Sequence, residues 1–526
     1  MMLLAPYLIL ALVVFAAYAN TFNNGFLFDD SLIIEINEYL RGWNHIGDIL
    51  TTSTTSGAHI DGGFYRPVQI LLYLIAFQLG DGNAFWFHLL NLSLHIANTC
   101  FVYRLGTKLG FNAKGVFLAA LVWGVHPLHT EAVTYMSATA DTLSAFFCLW
   151  AIVVLLPDIT QKKILKVIPL FLLGLVSKEV TVMFPLLVMA CLFYLNDKRL
   201  SPRTYYRTWP LWLITLIFVA WRSTAEGFDG PQSYDRFYAM PQFSDMKLYA
   251  AEPIYRIYTF FATLPNYLEL LIWPTGLHME RVFPIQSYVS GVVAAGIMMI
   301  VFAAGHIAYS CRIKRGLELS WGFLWFAAAH SPDTGLLFPM NSLFLEHWMY
   351  LPSVGLFLGI AQTLVVLTKN KPRALPVCCS VAALVYSMAL SVKTYDQNKI
   401  WHDPVSFYNN IFAYGGKSSR AYNNLALYYS DRGQYDLAIE KFYEGIAASD
   451  IYAETRYNLA VTLVRRSRDK ESVAKAIEHL ERSIAIQPSF YRSYDLLSFI
   501  YENYLKDKEK ADYYAAKSKE IFNRMK

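Results

Sequence analysis

The sequence predicts an all-α protein made of a polytopic membrane domain and a soluble solenoid of helical repeats. The first observation is composition: 55% of the 526 residues are hydrophobic and only 16% are charged, whereas soluble domains carry roughly 25% charged residues. The second is a shift along the chain, because apolar runs dominate up to about Lys393 and charged, Tyr-rich sequence begins at His402. We therefore expect a membrane domain over 1–395 and a repeat domain over 402–526.

The membrane part contains eleven apolar segments that we interpret as spans. Crossing a bilayer takes roughly 20 apolar residues, and fewer where polar groups line a cavity. The candidate spans are 3–19, 84–106, 115–126, 141–157, 164–177, 180–195, 209–222, 288–310, 320–331, 349–368 and 374–392. Two further apolar stretches, 67–79 and 250–273, are interpreted as interfacial or re-entrant helices. The first span is expected to be an uncleaved anchor, because no Lys or Arg precedes it.

The distribution of Lys and Arg predicts the orientation. Five clusters lie between apolar runs, and all fall on one side if the chain starts in the cytoplasm, as the positive-inside rule requires. They are Lys108 and Lys114; Lys162, Lys163 and Lys166; Lys198, Arg199, Arg203 and Arg207; Arg312, Lys314 and Arg315; and Lys369, Lys371 and Arg373. Eleven spans then place the repeats on the periplasmic or lumenal side of an integral membrane protein. The membrane is expected to be a bacterial inner or plasma membrane or the endoplasmic reticulum. No basic arm or patch indicates a nucleic-acid partner.

The tail of the sequence carries an internal repeat. The segment 421–429 reads Ala-Tyr-Asn-Asn-Leu-Ala-Leu-Tyr-Tyr, and a similar pattern recurs at 457–460 and, more weakly, at 496–511. Small residues that let paired helices nest, with aromatic residues in the gaps, make this tail resemble about three tetratricopeptide repeats. Such arrays present a concave face that binds extended peptide, so we expect a protein partner here. A merely structural cap is the alternative.

Two adjacent carboxylates, Asp29 and Asp30, follow the first span on its predicted outer side. Ionised side chains near hydrocarbon are costly, so their presence indicates function. Repulsion between neighbouring carboxylates favours a pKa nearer the range of a general base. We therefore take both residues as catalytic candidates. The alternative is an N-cap for a helix that begins at Ser31.

The remaining candidates are cationic, acidic and imidazole side chains at the predicted outer ends of spans. A guanidinium at the level of the lipid headgroups suits a phosphate, although snorkelling to the interface is the alternative. The residues are Arg66, His126, His129, Glu131, Lys178, Glu179, Glu346 and His347. Together they suit an acceptor hydroxyl group that attacks a phosphate-linked carbon. We expect no metal cofactor, since no two histidines share the i, i+4 spacing of a zinc helix. A divalent ion on the paired aspartates stays open.

The motifs occur in a definite order along the chain. That order is Phe28-Asp29-Asp30, Tyr65-Arg66-Pro67, His88…Asn91…His95, His126-Pro127-Leu128-His129-Thr130-Glu131-Ala132-Val133, Lys178-Glu179 and Tyr350-Leu351-Pro352-Ser353, then the repeats. It resembles the transmembrane and tetratricopeptide repeat-containing proteins, which are C-type (GT-C) glycosyltransferases related to protein O-mannosyltransferases. The resemblance implies a GT-C membrane domain, a polyprenyl- or dolichyl-phosphate sugar donor, and inverting transfer to a protein hydroxyl group at the outer face. It implies Asp29 as the carboxylate that activates the acceptor, with Asp30 beside it.

The sequence departs from this family at two motifs. Where the family usually has Gly-Arg-Ala-Asp, this chain has Ala138-Thr139-Ala140-Asp141, and where it usually has Glu-Arg, this chain has Glu346-His347. Two expected arginines are therefore missing. The resemblance then leaves Arg66, Lys178 and His347 to supply positive charge to the donor phosphate.

Two other functions stay open at this point. One is a glycosyltransferase that modifies a lipid or polysaccharide, with the repeats serving assembly. The other is a non-enzymatic membrane scaffold or a transporter. Transporters place their sites near the middle of the membrane, whereas the charged motifs here fall at the predicted outer ends of the spans. The sequence therefore favours a transferase with a lipid-linked sugar donor and a protein acceptor recruited by the repeats.

Overall fold

A computed structural model describes residues 4–60, 62–195, 202–224, 249–340 and 342–525. In these ranges the protein is helical and contains no β-strand, which confirms the all-α prediction. The chain divides into two compact units. The first consists of Met1–Met279 and Phe283–Asp403, and the second of Glu280–Val282 and Pro404–Lys526. Two of the cations that predict the orientation, Lys198 and Arg199, lie outside the described residues.

Helices of the first unit match the apolar runs of the sequence. Its helices include Ala5–Tyr18, Ile46–Thr51, Pro67–Gly80, Ala84–Lys108, Ala113–Gly124, Thr130–Val133, Thr139–Leu155, Gln161–Leu175, Phe184–Leu195, Pro202–Thr224, Pro253–Ile272, Gly291–Ile313, Leu317–His330, Pro352–Thr368 and Ala374–Asn398. Each of the eleven predicted spans overlaps one of these helices, and so does each of the two stretches interpreted as interfacial.

Membrane-spanning character is clearest in a subset of these helices. Four helical segments in the described part of the chain are long and apolar enough to cross a bilayer. They are Ala5–Asn23, Met136–Leu155, Gly291–Ile313 and Ala374–Trp401. The pair Ala113–Gly124 and Pro127–Val133 is bent by 51° and forms a broken span or a re-entrant loop. The chain is thus a membrane protein, and the crossings predicted for the other apolar helices stay predictions.

The helix Ala84–Lys108 carries a polar stripe into the protein interior. The Nε2 of His95 donates to the Gly124 carbonyl oxygen at 2.8 Å, and its Nδ1 accepts from the Tyr350 hydroxyl group at 2.7 Å. The amide of Asn91 donates to the Ala132 and Val133 carbonyl oxygens at 3.1 and 2.7 Å. Buried polar groups need such partners because water is absent. The stripe therefore holds the bent segment 124–133 in place by inter-helix hydrogen bonds.

Helices Leu317–His330 and Pro352–Thr368 meet at a seam of glycines. A Cβ atom added to Gly322 would lie 2.6 Å from the Gly355 carbonyl oxygen. One added to Gly359 would lie 2.8 Å from the Glu318 carbonyl oxygen. The two backbones can approach this closely because Gly322 and Gly359 have no side chain at these two contacts.

The second unit consists of helices that pack in consecutive pairs. They are Pro404–Ala413, Ser419–Asp431, Tyr435–Ala448, Ala453–Arg466, Lys470–Ile486, Tyr491–Ile500 and Lys508–Met525. Small and aliphatic residues such as Ala426, Leu459 and Leu480 are fully or almost fully buried between the helices. Glu280 also packs in this unit, where its carboxylate forms an ion pair with Arg420 at 2.7 Å and accepts a hydrogen bond from the Ser418 hydroxyl group at 3.0 Å. The assignment of this unit as a functional repeat domain stays a prediction.

Candidate active site

Two buried or partly buried ion pairs lie close together in the first unit. The Nζ of Lys178 is 2.6 Å from the Asp141 carboxylate, and the two side chains are only 9% and 11% exposed. A guanidinium nitrogen of Arg66 lies 3.1 Å from the Glu179 carboxylate. Lys178 and Glu179 are adjacent in the turn before helix Phe184–Leu195, so the two pairs share one backbone support. Despite burial, the Arg66 charge holds the pKa of Glu179 below its ordinary value.

A third pair joins Glu131 to His347. The Nδ1 of His347 is 3.0 Å from one carboxylate oxygen of Glu131, and the backbone N–H of His347 donates to the other at 3.0 Å. Glu131 is fully buried in the helical turn that follows the 51° bend. Burial alone lowers the pKa of His347, but the nearby carboxylates of Glu131 and Asp141 outweigh it and raise that pKa. His347 therefore carries a positive charge only when its imidazole is protonated, at a position where the resembled family has an arginine.

A fourth carboxyl group, Asp333, completes the cluster. It lies in the turn Ser331–Asp333 directly after helix Leu317–His330, and the charges of Lys178, Asp141, His347 and Glu179 act on it. Burial raises its pKa to about 7. None of the sequence motifs described above contains this residue. We refer to the following seven residues as the ion-pair cluster: the acids Glu131, Asp141, Glu179 and Asp333, and the bases Arg66, Lys178 and His347.

The two aspartates after the first span have different surroundings. Asp30 is buried, and its carboxylate accepts hydrogen bonds from the Leu27 N–H at 3.0 Å, from the Ser137 N–H at 2.8 Å and from the Ser137 hydroxyl group. Asp29 is exposed, while its backbone N–H donates to the Tyr135 hydroxyl group at 3.2 Å. Asp30 does not cap the turn Ser31–Glu35 through its side chain, so the N-cap alternative is wrong. Burial raises the pKa of Asp30 to about 7, against the pull of its hydrogen-bond donors.

Backbone strain marks the same loop. Phe28, directly before Asp29, has a φ of 52°, which is an outlier for a bulky side chain. Such conformations persist only where the surroundings enforce them, and they concentrate at functional sites. Here the hydrogen bonds of Asp30 to Leu27 and Ser137 enforce the conformation. Asp30 thus positions the loop that presents Asp29.

Segment Met136–Ala138 connects this loop to the ion-pair cluster. The Gln69 amide donates to the Ser137 carbonyl oxygen at 3.0 Å, and the Tyr73 hydroxyl group donates to the Met136 carbonyl oxygen. Gln69 and Tyr73 belong to helix Pro67–Gly80, whose first residue follows Arg66. Asp141 lies in the first turn of helix Thr139–Leu155 on the other side of the segment. The aspartate loop and the cluster are therefore linked through one short stretch of backbone.

Three further predicted site residues contact other parts of the protein. The Nε2 of His126 donates to the Leu271 carbonyl oxygen at 3.1 Å, and the Glu346 carboxylate accepts from the His278 N–H at 2.8 Å. His129 is fully buried against the rings of Trp123 and Tyr350. Neither of its ring nitrogens has a hydrogen-bond partner in the described part of the chain. Their predicted role at the donor phosphate stays a prediction.

Metal ligation was considered for the same groups. Within the described ranges, no group of three or more His, Cys, Asp or Glu side chains is arranged to hold a metal ion.

Thr139 occupies one of the two positions where the resembled family has arginine. It is fully buried and donates its hydroxyl hydrogen to the Met136 carbonyl oxygen at 2.7 Å. It therefore completes a turn and brings no charge.

Fold and site together define a helical membrane protein with a cluster of buried and partly buried ion pairs that segment Met136–Ala138 links to a strained acidic loop. Its curated relatives carry a common name. The chain is 23% identical over 465 residues to protein O-mannosyl-transferase F38B6.6 of Caenorhabditis elegans, an alignment covering 83% of this chain and 62% of that protein. It is 23% identical over 500 residues to protein O-mannosyl-transferase TMTC3 of Mus musculus, covering 88% of this chain and 53% of the relative.

A shorter segment is more similar to another relative. It is 35% identical over 140 residues to protein O-mannosyl-transferase TMTC2 of Mus musculus, which covers 26% of this chain and 16% of that protein. The chain spans less than two thirds of the length of the relatives that it matches over most of its own length. No family model and no solved structure matches it. These homologues confirm the resemblance to the transmembrane and tetratricopeptide repeat-containing proteins.

Proposed function

We propose that this chain is a glycosyltransferase that moves mannose from a polyprenyl-phosphate-type lipid carrier to a hydroxyl group of a protein acceptor. The observation that carries the proposal is the ion-pair cluster, which segment Met136–Ala138 links to the loop of the exposed Asp29. Buried charges are costly in a membrane protein and persist where function uses them. The names of the relatives, all protein O-mannosyl-transferases, support both the sugar and the protein acceptor.

Asp29 is the proposed base. Its carboxylate takes the proton of the acceptor hydroxyl group while the hydroxyl oxygen attacks the anomeric carbon of the sugar. The bond from that carbon to the phosphate oxygen breaks, its electron pair leaves with the lipid phosphate, and the configuration inverts. Asp29 is exposed, so an acceptor can reach it, whereas Asp30 is buried and accepts hydrogen bonds from Leu27 and Ser137.

Arg66 and Lys178 are the proposed cations for the leaving phosphate. Each is paired with an acid, yet each retains donors beyond that pair. The buried Nε of Arg66 makes no hydrogen bond among the described residues, and a guanidinium has five N–H donors. A phosphate that shares these cations with Glu179 and Asp141 receives charge-assisted hydrogen bonds as its own charge grows.

We further propose that 1–395 forms the transferase domain with a multi-pass topology and that 402–526 recruits the acceptor on the periplasmic or lumenal side. The Lys and Arg clusters support the topology. The repeat pattern supports a peptide-binding face. Removal of the repeats is then expected to lower transfer to the protein acceptor more than binding of the lipid donor.

The substitution Asp29→Asn tests the proposal. We expect mannose on outer-face proteins, measured by mass spectrometry in cells with and without the chain, to fall to the level seen without it. Asp81→Asn is the matched control, because Asp81 is also exposed and has a positive φ of 49° that Asn tolerates. Unchanged mannose in a folded Asp29→Asn protein contradicts the catalytic assignment. A change confined to glycolipids indicates a lipid acceptor, and no change in any glycan indicates a scaffold or transporter.

A further inference from the structure

Asp333 differs from the other acids of the ion-pair cluster. Three acids each face one base at 3.1 Å or less. Asp333 makes no hydrogen bond or ion pair with any residue in the ranges that the structure describes, although it is only partly exposed. A partly buried carboxyl group without a protein partner is available to a ligand.

The surroundings of Asp333 are polar. Its side chain lines a small cavity of about 10 Å³ together with Thr259, Thr263, Tyr267 and His330, which is enough room for about one water molecule. Hydroxyl and imidazole side chains from helix Pro253–Ile272 and from the end of helix Leu317–His330 therefore line the same cavity. The charges of Lys178, Asp141, His347 and Glu179 also act on the carboxyl group.

We propose that Asp333 belongs to the donor site, where its carboxyl group donates a hydrogen bond to the phosphate of the lipid-linked sugar. This inference rests on the proposed function and deepens it by naming a residue that recognises the phosphate. A carboxyl group can donate only while it carries a proton, and a phosphate oxygen accepts. No bond is made or broken at Asp333.

The charge of the cluster explains why a neutral acid suits this place. The three pairs each sum to zero, provided that His347 is protonated, so an ionised Asp333 would face a phosphate with like charge. Like charges at close range disfavour binding. A protonated Asp333 removes the repulsion and adds a donor, which compensates in part for the two arginines that the resembled family has and this chain lacks.

Electrostatics around Asp333 agrees with this role. Burial raises its pKa to about 7, and the neighbouring carboxylates of Asp141 and Glu179 act in the same direction. Lys178 and His347 oppose them. The group is therefore half protonated near neutral pH. Its ability to donate a hydrogen bond is expected to disappear as the pH rises above this value.

The test is binding of polyprenyl-phosphate mannose to the full chain in lipid nanodiscs at pH 6 and pH 8.5. This probe is a phosphodiester, whose own charge does not change between these values. If only protonated Asp333 binds, a pKa of about 7 predicts that the affinity of the wild-type protein falls about 30-fold. Asp333→Asn keeps a donor at every pH, so we expect affinity close to that of the wild type at pH 6 and little change at pH 8.5. Asp333→Ala is expected to bind weakly at both.

His347→Gln is the control for the second group that titrates in this range. The proposal is overturned if the pH dependence survives in Asp333→Asn but disappears in His347→Gln. It is equally overturned if Asp333→Ala binds the lipid like the wild type, or if Asp333→Asn binds as weakly as Asp333→Ala while both stay folded.

Binding and transfer separate this inference from the proposed function. If the wild type binds the lipid with the expected pH dependence but transfers no mannose, Asp333 recognises a lipid phosphate and the transferase proposal fails. If mannose is transferred and Asp333→Asn keeps the wild-type pH dependence, the transferase proposal stands and the role of Asp333 fails. If the wild type does not bind the lipid at either pH, both fail.

Discussion

The two compact units each contain cation–carboxylate pairs, and a pair from each unit differs in exposure to water. In the first unit, Lys178 and Asp141 are 9% and 11% exposed. In the second, Arg466 and Asp436 lie 2.8 Å apart but are 48% and 81% exposed. Water screens the exposed pair, so it contributes roughly 0–1 kcal/mol. The buried pair lost its hydration on folding, so each charge depends on its partner. The exposed pair of the second unit is thus stabilised mainly by solvent, whereas the buried pair of the first unit is stabilised by its partner.

The largest expected effect comes from breaking the buried pair of Lys178 and Asp141. Lys178→Met leaves the Asp141 carboxylate without its cation, and removing one partner of a buried pair costs about 3–5 kcal/mol. We expect a large loss of stability in thermal unfolding of the detergent-solubilised full chain and loss of mannose transfer. The double variant Lys178→Met with Asp141→Leu should recover stability but not transfer. If Lys178→Met unfolds like the wild type, the pair is not buried in the working protein.

A smaller effect is expected at the loop that presents the candidate base. Asp30→Asn replaces an acceptor oxygen by an NH₂ group, which leaves a buried N–H of Leu27 or Ser137 unpaired at a cost of about 2–3 kcal/mol. The pKa of Asp30 is raised on folding from 3.8 to about 7. The folded state therefore binds the proton more tightly, and this contribution to stability is lost as the pH rises from about 4 to 7. Unfolding curves against pH should show this loss in the wild type and not in Asp30→Asn.

The pair of Glu131 and His347 should respond to pH as well. Folding raises the pKa of His347 above its ordinary value of 6.5. Its stabilising contribution is therefore complete below pH 6.5 and is lost as the pH rises through the folded pKa. Relative to the wild type, His347→Gln should cost roughly 1.5 kcal/mol at pH 6 and progressively less above neutral pH. An equal cost at pH 6 and pH 9 contradicts an ionised pair.

The smallest effect is expected on the surface of the second unit. Arg466→Ala removes an exposed ion pair with Asp436, so unfolding of the full chain should change by less than about 0.5 kcal/mol. The same protein should transfer mannose normally. A change as large as that of Lys178→Met removes the distinction between the two units.

The sequence predicts the helices of this fold well, because each long apolar run needs its backbone hydrogen bonds satisfied internally. It also points to Arg66, Lys178, Glu131 and His347 through their position beside such runs. It does not predict how they pair, since partners are separated by up to 216 residues and meet only in the folded protein.

Two features of the site have little signal in the sequence. Asp333 follows His330-Ser331-Pro332, which is typical of an ordinary helix end. Its position near Lys178 and Glu179 depends on the packing of helices Leu317–His330 and Phe184–Leu195, which are far apart in the sequence. Likewise, Asp29 and Asp30 are chemically identical neighbours, and only the hydrogen bonds of Ser137 and Leu27 separate the presented carboxylate from the buried one.

The glycine seam of helices Leu317–His330 and Pro352–Thr368 fixes more than a helix contact. One helix leads directly into the turn of Asp333, and the other begins just after the turn of His347. With a carbonyl oxygen only 2.6 Å from any Cβ at position 322, an alanine there forces the two backbones apart. Such a change would alter the distance between Asp333 and His347 without a substitution at either residue. The spacing of Asp333 and His347 thus depends on the absence of a side chain at position 322, although glycine itself carries no reactive group.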